Sequence, residues 1–131
     1  MESLVVISKV KKFIKDQGDC NTSANFFEPL NDDIVKSCRE AALHAQKIGR
    51  KTVMGKDFNL YVEGAAIEEV LVVTSKVKKL IKDEFGLSTS SAAIEQLTNR
   101  VQTICKKAIE NAKNDKRKTV MDRDFSAPTT L

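Results

Sequence analysis

The sequence is poor in the residues that most catalytic, metal and redox sites require. It has no tryptophan, one tyrosine and one histidine, and aromatic residues make up 5% of its 131 residues. Its three cysteines are odd in number and lack the CxxC spacing typical of a zinc site, so no disulfide framework is indicated either. No nucleophile with a base, glycine-rich phosphate loop or paired-carboxylate site is recognisable. These absences argue against an enzyme, a metal site, a cofactor and a small-molecule substrate.

Long apolar runs are also missing. No stretch approaches the roughly 20 apolar residues of a membrane-spanning helix, and the N-terminal MESLVVISKVKKF has too short an apolar stretch for a secretion signal. We therefore expect no membrane partner and an intracellular, reducing location. The net charge of +4 favours an anionic partner only weakly, because 22 basic residues face 18 acidic ones.

What the sequence does contain is an internal repeat. RKTVMGKDF, starting at Arg50, returns 67 residues later as RKTVMDRDF, starting at Arg117. The same offset pairs LVVISKVKKFIKD with LVVTSKVKKLIKD without a gap, and 25 of the 55 positions from Leu4 to Phe58 are identical to their counterparts. A constant offset indicates that a whole fold unit is duplicated. We predict two units, residues 1–64 and 65–131, which together form one compact domain.

In each unit the spacing of the apolar residues predicts a short helix followed by a long one. Apolar residues at helical spacing follow Ser8 and Ser75, which we expect to be N-caps. A second apolar stripe predicts a long helix of about seven turns in each unit. In the first unit, Asn25 with Glu28 resembles a capping box, which would place Pro29 in the first turn, where proline is tolerated. A kink at that proline is the alternative.

The ends of the two units differ. Gly49 is well suited to terminate the first long helix, whereas Lys116 stands at the corresponding place in the second unit. After the RKT segment the first unit continues with FNLYVEGAAIEEV, which is compatible with a third helix. The second unit ends with FSAPTTL, in which Pro128 opposes a helix, so we predict a truncated third helix there.

A helix with one apolar stripe must bury it against another element, and the second unit offers a matching stripe. We therefore predict that the two units pair within the chain. Cys38 and Cys105 lie at equivalent places near the middle of the long helices, and we expect buried apolar thiols rather than redox or metal sites. Cys20 would then be the thiol that reagents modify quickly. His44 is replaced by Asn111 in the second unit, and we interpret it as incidental.

The order of these segments resembles the histone-fold family. GRKTVMGKDF is similar to the loop between the second and third helices of archaeal and bacterial histones, with its R-x-T-x-x-x-x-D spacing, and both units match it. KKFIKD and KKLIKD are similar to the family's basic first helix. The likeness covers nearly the whole chain. It implies an all-α protein, a tailless histone doublet in which two short–long–short helix units pair as a pseudodimer.

The resemblance also implies a function and roles for residues. The function is that of an architectural protein of chromatin or the nucleoid, which binds double-stranded DNA through phosphate contacts without sequence specificity. Arg50 with Asp57, and Arg117 with Asp124, would form salt bridges that hold the loops. A lysine, a hydroxyl and free N–H groups also suit a phosphate on physical grounds, although a turn with a solvated charge is the alternative. The implied phosphate contacts in the loops are Lys51, Thr52, Lys118 and Thr119.

A second set of candidates lies on the short helices. A lysine run on a helix is usually a solvated face, but in a histone-like pairing the two first helices meet in the middle of the binding edge. The lysines concerned are Lys11, Lys12, Lys15, Lys78, Lys79 and Lys82, and we expect Lys12 and Lys79 to lie beside the DNA.

The third set lies in the loops before the long helices. Hydroxyl and helix-start N–H groups can be offered to phosphate by Thr22, Ser23, Thr89 and Ser90, while helix capping is an alternative that is compatible with this role. An antiparallel pairing would place the Arg50 loop beside Thr89 and the Arg117 loop beside Thr22.

The sequence also departs from the family. Histones that stack into larger particles often carry a histidine shortly before the RKT loop, where this chain has Lys47 and Asn114. End-to-end oligomers are therefore in doubt, and further self-association stays open. The alternative function is a histone-fold interaction module of a transcription-related complex. The doubled RKT loop and doubled lysine helix favour DNA binding, because an interaction module has no need of both.

Overall fold

The computed structural model describes residues 3–64 and 67–128, and four α-helices form most of this part of the chain. The α-helices are α1 (Ile7–Gly18), α2 (Phe27–Lys47), α3 (Thr74–Phe85) and α4 (Ser91–Asn114). Four two-residue strands are β1 (Asn21–Thr22), β2 (Thr52–Val53), β3 (Ser88–Thr89) and β4 (Thr119–Val120). Single turns of 3₁₀ helix cover Ala24–Phe26, Gly55–Asp57 and Asp122–Asp124. The prediction of an all-α fold is confirmed.

The elements recur with the offset seen in the sequence, with one exception caused by Pro29. The limits of α1 shifted by 67 are those of α3, and α2 and α4 end at corresponding residues. However, α4 begins three residues earlier than α2, where the first half has a 3₁₀ turn. A proline ring clashes with the carbonyl four residues before it, here that of Asn25, so the α-helix begins at Phe27 and the preceding residues take the tighter turn.

Pro29 therefore lies in the first turn of α2, as predicted. The predicted cap was wrong, because Asn25 lies inside the 3₁₀ turn, and Phe26 precedes α2 without a side-chain cap. The serine caps of the short helices were also wrong. Those helices begin after Val6 and Val73, neither of which caps through its side chain.

The entry to the short helices is fixed by tertiary pairing instead of capping. Val5 and Val72 form an antiparallel bridge. The amide of Val6 donates to the carbonyl of Leu71 at 2.8 Å, and the amide of Val73 donates to the carbonyl of Leu4 at 2.7 Å. The starts of α1 and α3 thus lie side by side.

Both long helices are followed by a left-handed residue, which the sequence predicted for Gly49 but not for Lys116. Gly49 has φ +78° and Lys116 has φ +56°. The next amide, of Arg50 or Arg117, donates back to Ala45 or Ala112 respectively, at 2.9 Å in each case. This Schellman-type ending sets each RKT segment directly against the end of its helix.

One hydrophobic core is shared by both halves. The short helix of each half packs against the long helix of the other, α1 against α4 and α3 against α2, and the two long helices cross. The approach of α1 to α4 is so close that a Cβ atom at Gly18 would lie 2.4 Å from Cγ2 of Ile109. The fully buried side chains come from all four α-helices and include Ile14, Leu30, Ile34, Ile81, Leu97 and Ile104.

The third helix expected in the first unit is absent from its described residues. After Gly55–Asp57 the chain has no α-helix before α3, although Ala65 and Ala66 lie outside the described residues. Gln96 of α4 accepts from the amide of Val62 at 3.0 Å and donates to its carbonyl at 2.7 Å. These bonds satisfy the amide and the carbonyl of Val62 without an α-helix. In the second unit the described residues after β4, up to residue 128, contain only the 3₁₀ turn.

Candidate nucleic-acid interface

Each RKT segment lies against the start of the opposite long helix through a short parallel strand pair. β2 pairs with β3 in the register Thr52 to Ser88 and Val53 to Thr89. β1 pairs with β4, so that Thr22 lies opposite Val120. The predicted position of each RKT loop next to the opposite threonine is confirmed.

The pairing anchors the main chain of the loop lysines and leaves their side chains outside. The carbonyl of Lys51 accepts from the amide of Ser88 at 2.9 Å, and that of Lys118 accepts from the amide of Asn21 at 2.8 Å. Both lysine side chains are exposed, whereas the loop threonines beside them are half-buried. Each strand pair therefore presents a fixed backbone with a projecting ammonium group.

The loops are held by the predicted Arg–Asp pairs. In the first loop, Arg50 donates to both carboxylate oxygens of Asp57, at 2.7 and 2.5 Å, and to the carbonyl of Thr52 at 3.2 Å. The amide of Met54 also donates to this carboxylate, at 2.7 Å. Burial alone would raise the pKa of Asp57, but the hydrogen bonds from Arg50, Met54 and His44 hold that pKa at about 2.

The second loop repeats this geometry and adds a further carboxylate. Arg117 donates to Asp124 at 2.8 and 2.6 Å, and the amide of Met121 donates to the same carboxylate at 2.8 Å. The hydrogen bonds from Arg117 lower the pKa of Asp124. Nε of Arg117 also donates to the exposed Asp115 at 2.7 Å. The repeat did not reveal this second carboxylate, because the contact depends on how α4 ends.

The sequence suggested that His44 is incidental, but the structure shows that it contacts a loop carboxylate. Its Nδ1 lies 2.7 Å from Oδ1 of Asp57, so the histidine is part of the first loop's ion-pair cluster. Asn111, its counterpart, donates from Nδ2 to the main-chain carbonyl of Asp124 at 2.9 Å. The two residues brace corresponding loops through different acceptors, which is why they looked unrelated in the sequence.

The predicted lysines of the short helices are all exposed. Lys12 pairs with Asp16 at 3.0 Å and Lys79 pairs with Asp83 at 2.5 Å, each within its own helix. The hydrogen bond that Lys12 donates to Asp16 raises the pKa of Lys12. The set consists of Lys11, Lys12, Lys15, Lys78, Lys79 and Lys82.

The short helices connect the centre of the molecule with the two strand pairs. Both begin at the Val5–Val72 bridge, and β1 and β3 follow their ends within a few residues. A 12-residue helix is about 18 Å long. The lysines of α1 and α3 therefore lie along the two paths that lead from this bridge to the RKT loops.

The threonines before the long helices do not present hydroxyl groups as expected. Oγ1 of Thr22 and Oγ1 of Thr89 are buried and have no hydrogen-bond partner in the described residues. Neither threonine caps a helix. The cap of α4 is Ser90, whose Oγ accepts from the amide of Ala93 at 3.2 Å. In this conformation the two threonine hydroxyl groups cannot reach a phosphate. The helix-start N–H groups and other main-chain groups of these loops are still available for such a contact.

An acidic segment before α3, Glu68 and Glu69, contacts α1, and the sequence did not predict this contact. Glu69 Oε1 lies 3.2 Å from the ammonium group of Lys9. Glu68 and Glu69 line a small pocket with Lys12 and Lys106, with a volume of about 200 Å³. Lys9 and Glu69 are 60 positions apart in the chain, so no local sequence pattern could predict this contact.

The three cysteines all lie inside the described part of the protein. Cys38 and Cys105 are fully buried, as predicted, and burial raises the pKa of both thiols to about 12. Cys20 is also buried, which contradicts its expected exposure. Within residues 3–64 and 67–128, no three His, Cys, Asp or Glu side chains form a group that could hold a metal ion. No helix in this part of the chain has the length and apolarity to cross a membrane.

The fold is similar to that of an archaeal histone of known structure. The histone from Methanopyrus kandleri matches this chain with a TM-score of 0.64 and 22% sequence identity, over 92% of this chain and 89% of that chain. At this identity the likeness establishes the fold, and the expected histone fold is confirmed. No protein-family model matches the chain, and neither does any curated protein sequence.

Proposed function

We propose that the protein is a histone doublet that binds duplex DNA through phosphate contacts, without reading its sequence. In this proposal the two halves, residues 1–64 and 65–131, act as the two members of a histone pair. It acts as an architectural protein in chromatin or the nucleoid, with no catalytic role. The observation that carries the proposal is the strand pairing that fixes each RKT loop beside the opposite helix start.

The chemistry of each strand pair supports a phosphate-binding role. An exposed lysine, Lys51 or Lys118, projects beside a threonine and the main chain of the opposite loop. In addition, the N-terminus of a long helix follows each opposite loop and carries a partial positive charge. Phosphate oxygens accept hydrogen bonds from such groups whatever the base sequence, so these contacts position DNA without specifying it.

The short helices supply the central part of the proposed DNA-binding edge. Their starts adjoin at Val5 and Val72, and their exposed lysines continue toward both loops. A strand of duplex DNA carries a phosphate about every 3.4 Å along its axis, so a row of cations can meet several phosphates. Lys12 and Lys79 are the central contacts in this proposal, and the RKT loops are the outer ones.

The doublet form of the proposal rests on the internal repeat and the shared core. Each short helix packs on the long helix of the other half, so neither half covers its apolar stripe alone. The archaeal histone chain is matched over most of its length by both halves together. This agreement supports a histone pair made within one chain.

Equilibrium binding at several salt concentrations tests the function. Fluorescence anisotropy with two labelled duplexes of unrelated sequence should give similar affinities that decrease steeply with salt. The double variant Lys51→Ala with Lys118→Ala should weaken binding equally on both duplexes. It should reduce the salt slope by about two, at roughly 0.9 per lost phosphate contact.

A charge-matched control separates loop contacts from net charge. Lys36→Ala with Lys107→Ala removes the same charge from two positions on the long helices that line the groove between α2 and α4 and belong to neither strand pair. This control should change the salt slope far less, provided that circular dichroism shows both variants folded. If the loop variant bound DNA as tightly and as salt-dependently as the parent, the loops would be structural turns. The interaction-module function would then replace the proposal.

A further inference from the structure

The two ends of the proposed DNA-binding edge are built from equivalent segments but differ in charge. The first end consists of residues 47–57 and 82–91, and the second end consists of residues 114–124 and 15–24. Each end contains five basic residues, but the first has three acidic residues and the second has five. The first end therefore carries two net positive charges and the second end carries none.

Asp19 is one of the carboxylates that only the second end has. Its counterpart in the first end is Gly86, and each of these residues ends a short helix in the left-handed conformation, with φ +52° and φ +70° respectively. The backbone is thus the same at the two places. The difference between them is the carboxylate.

The carboxylate of Asp19 lies beside the loop lysine of the second end. Two residues after Asp19, the amide of Asn21 donates to the main-chain carbonyl of Lys118 at 2.8 Å. The hydrogen bond from Lys15, at 3.1 Å, is the main cause that lowers the pKa of Asp19, and the charge of Lys118 lowers it further. Because the Asp19 side chain is 85% exposed, a phosphate that approaches Lys118 meets this carboxylate as well.

The other acidic differences between the ends act in the same direction. Glu84, which has no acidic counterpart in the second end, binds Arg39 of α2 through both oxygens, at 2.9 and 3.0 Å. Its charge is therefore neutralised by a residue outside the first end. Asp115 and Asp122 stand where the first end has uncharged residues. A phosphate thus meets more negative charge at the second end.

We propose that the first end is the stronger phosphate site and that Asp19 weakens the second, so that duplex DNA is held mainly through Lys51. This inference rests on the proposed function, because it concerns the phosphates of the same duplex. The like charge of Asp19 opposes a phosphate at Lys118, whereas glycine occupies the corresponding place beside Lys51. Exposed charges interact weakly in water, so the two ends should differ by about threefold in affinity.

Inorganic pyrophosphate tests the two ends in one unmodified molecule and without DNA. A titration followed by NMR through the backbone amides of Lys51 and Lys118 gives a dissociation constant for each end. The constant of the first end should be about threefold lower at low salt. Equal constants, tighter binding at the second end, or binding at neither end would overturn the proposal.

An exchange of two residues tests the role of Asp19 at constant net charge. Asp19→Gly with Gly86→Asp moves the carboxylate to the first end and keeps the left-handed backbone that each residue type already adopts in this chain. A Cβ atom at Gly86 would meet no neighbouring atom within 4 Å, so the exchange creates no clash. Both ends would then carry one net positive charge, and the difference between the two constants should largely disappear. An unchanged difference in the folded variant would rule out Asp19 as its cause.

Asp19→Asn separates the charge from the backbone. Asparagine tolerates the left-handed conformation, so this variant removes the charge and keeps the helix end. It should bind pyrophosphate at the second end about threefold more tightly than the parent, as Asp19→Gly should. Tighter binding in Asp19→Gly alone would mean that the backbone, and not the carboxylate, sets the strength of this end.

Binding to duplex DNA is measured separately. Lys51→Ala should weaken binding about threefold more than Lys118→Ala, and the two losses should become equal in the exchange variant. Unequal pyrophosphate sites without any duplex binding would contradict the proposed function, while the difference between the two phosphate sites would stand. Duplex binding with equal losses from the two lysine variants would show that both ends hold DNA equally, against the proposal.

Discussion

Asp33 and Arg100 face each other across the two long helices, although they occupy the same place in the two halves of the repeat. Arg100 donates from Nε to Oδ2 at 2.6 Å and from its terminal nitrogen to Oδ1 at 2.9 Å. A residue that contacts its own counterpart lies where the halves meet symmetrically, as Val5 and Val72 also do. If the two units were identical, this position would place two like charges opposite each other. The ion pair therefore requires two halves that differ in sequence at this position.

Reversing one member of this pair should destabilise the protein strongly. Arg100→Asp would set two carboxylates against each other where the Asp33 side chain is only 7% exposed. We expect the free energy of unfolding to fall by about 3 kcal/mol, since a partly buried charge loses its partner. Urea unfolding measures this change. The exchange variant Asp33→Arg with Arg100→Asp should recover most of the loss, and an equal loss in both variants would mean that the pair is not coupled.

Acid should weaken the first loop in a defined pH range. Because the pKa of Asp57 is about 2 in the folded protein and about 3.9 in an unfolded chain, its contribution to stability is present above about pH 4. It is lost as the pH falls through about 2. The contribution is roughly 2 to 3 kcal/mol at neutral pH.

Asp57→Asn should remove this contribution together with its acid dependence. Unfolding curves recorded from about pH 7 down to about pH 2 check the expectation. Asp32→Asn, at an exposed position of α2, is the matched control and should leave the curve nearly unchanged. A parallel acid dependence in Asp57→Asn and the parent would show that other carboxylates dominate.

The predictable part of the site is the part that depends on short spacing or on the repeat. Arg50 and Asp57 lie seven residues apart in one loop, so their pairing needs little knowledge of the rest of the fold. The position of the Arg50 loop beside Thr89 followed from pairing two equal units in antiparallel fashion. Both expectations are confirmed by the strand register and the loop hydrogen bonds.

The unpredictable part depends on tertiary contacts that no local pattern encodes. The bonds of Val6 and Val73 to the opposite segment replaced the expected serine caps. Thr22 turned its hydroxyl inward, although its neighbours in the loop are polar. His44 has no identical counterpart, so the repeat gave no reason to assign it a role. These differences arise where one half of the chain meets the other.

All three cysteines should be slow to react in the folded protein. Burial raises the pKa of Cys38 and Cys105 to about 12, which leaves almost no thiolate at neutral pH. Cys20 is 2% exposed, and its Sγ lies 3.4 Å from the carbonyl of Gly18. Mass spectrometry after iodoacetamide treatment should find little modification until denaturant is added. Rapid labelling of Cys38 or Cys105 in the native protein would contradict the shared core.

The contact between Glu69 and Lys9 places a carboxylate near the centre of the proposed DNA-binding edge. The Glu69 side chain is 49% exposed and 3.2 Å from the lysine, and it lines a pocket with Lys12. A phosphate that approaches these lysines meets a like charge and must compete with an existing ion pair. The acidic segment should therefore limit DNA affinity in the parent protein.

Glu69→Gln should bind duplex DNA about threefold more tightly than the parent at moderate salt, because it releases Lys9 and removes the repulsion. The free energy of unfolding should change by less than about 0.5 kcal/mol, since the pair is half exposed. Glu63→Gln removes the same charge from an exposed position on the irregular segment after the first RKT loop and should have a smaller effect. Anisotropy titrations of the parent and the two variants on one duplex measure the three affinities. Equal affinity of Glu69→Gln and the parent would mean that Lys9 lies outside the DNA contact, whereas weaker binding would mean that the ion pair itself orders the edge.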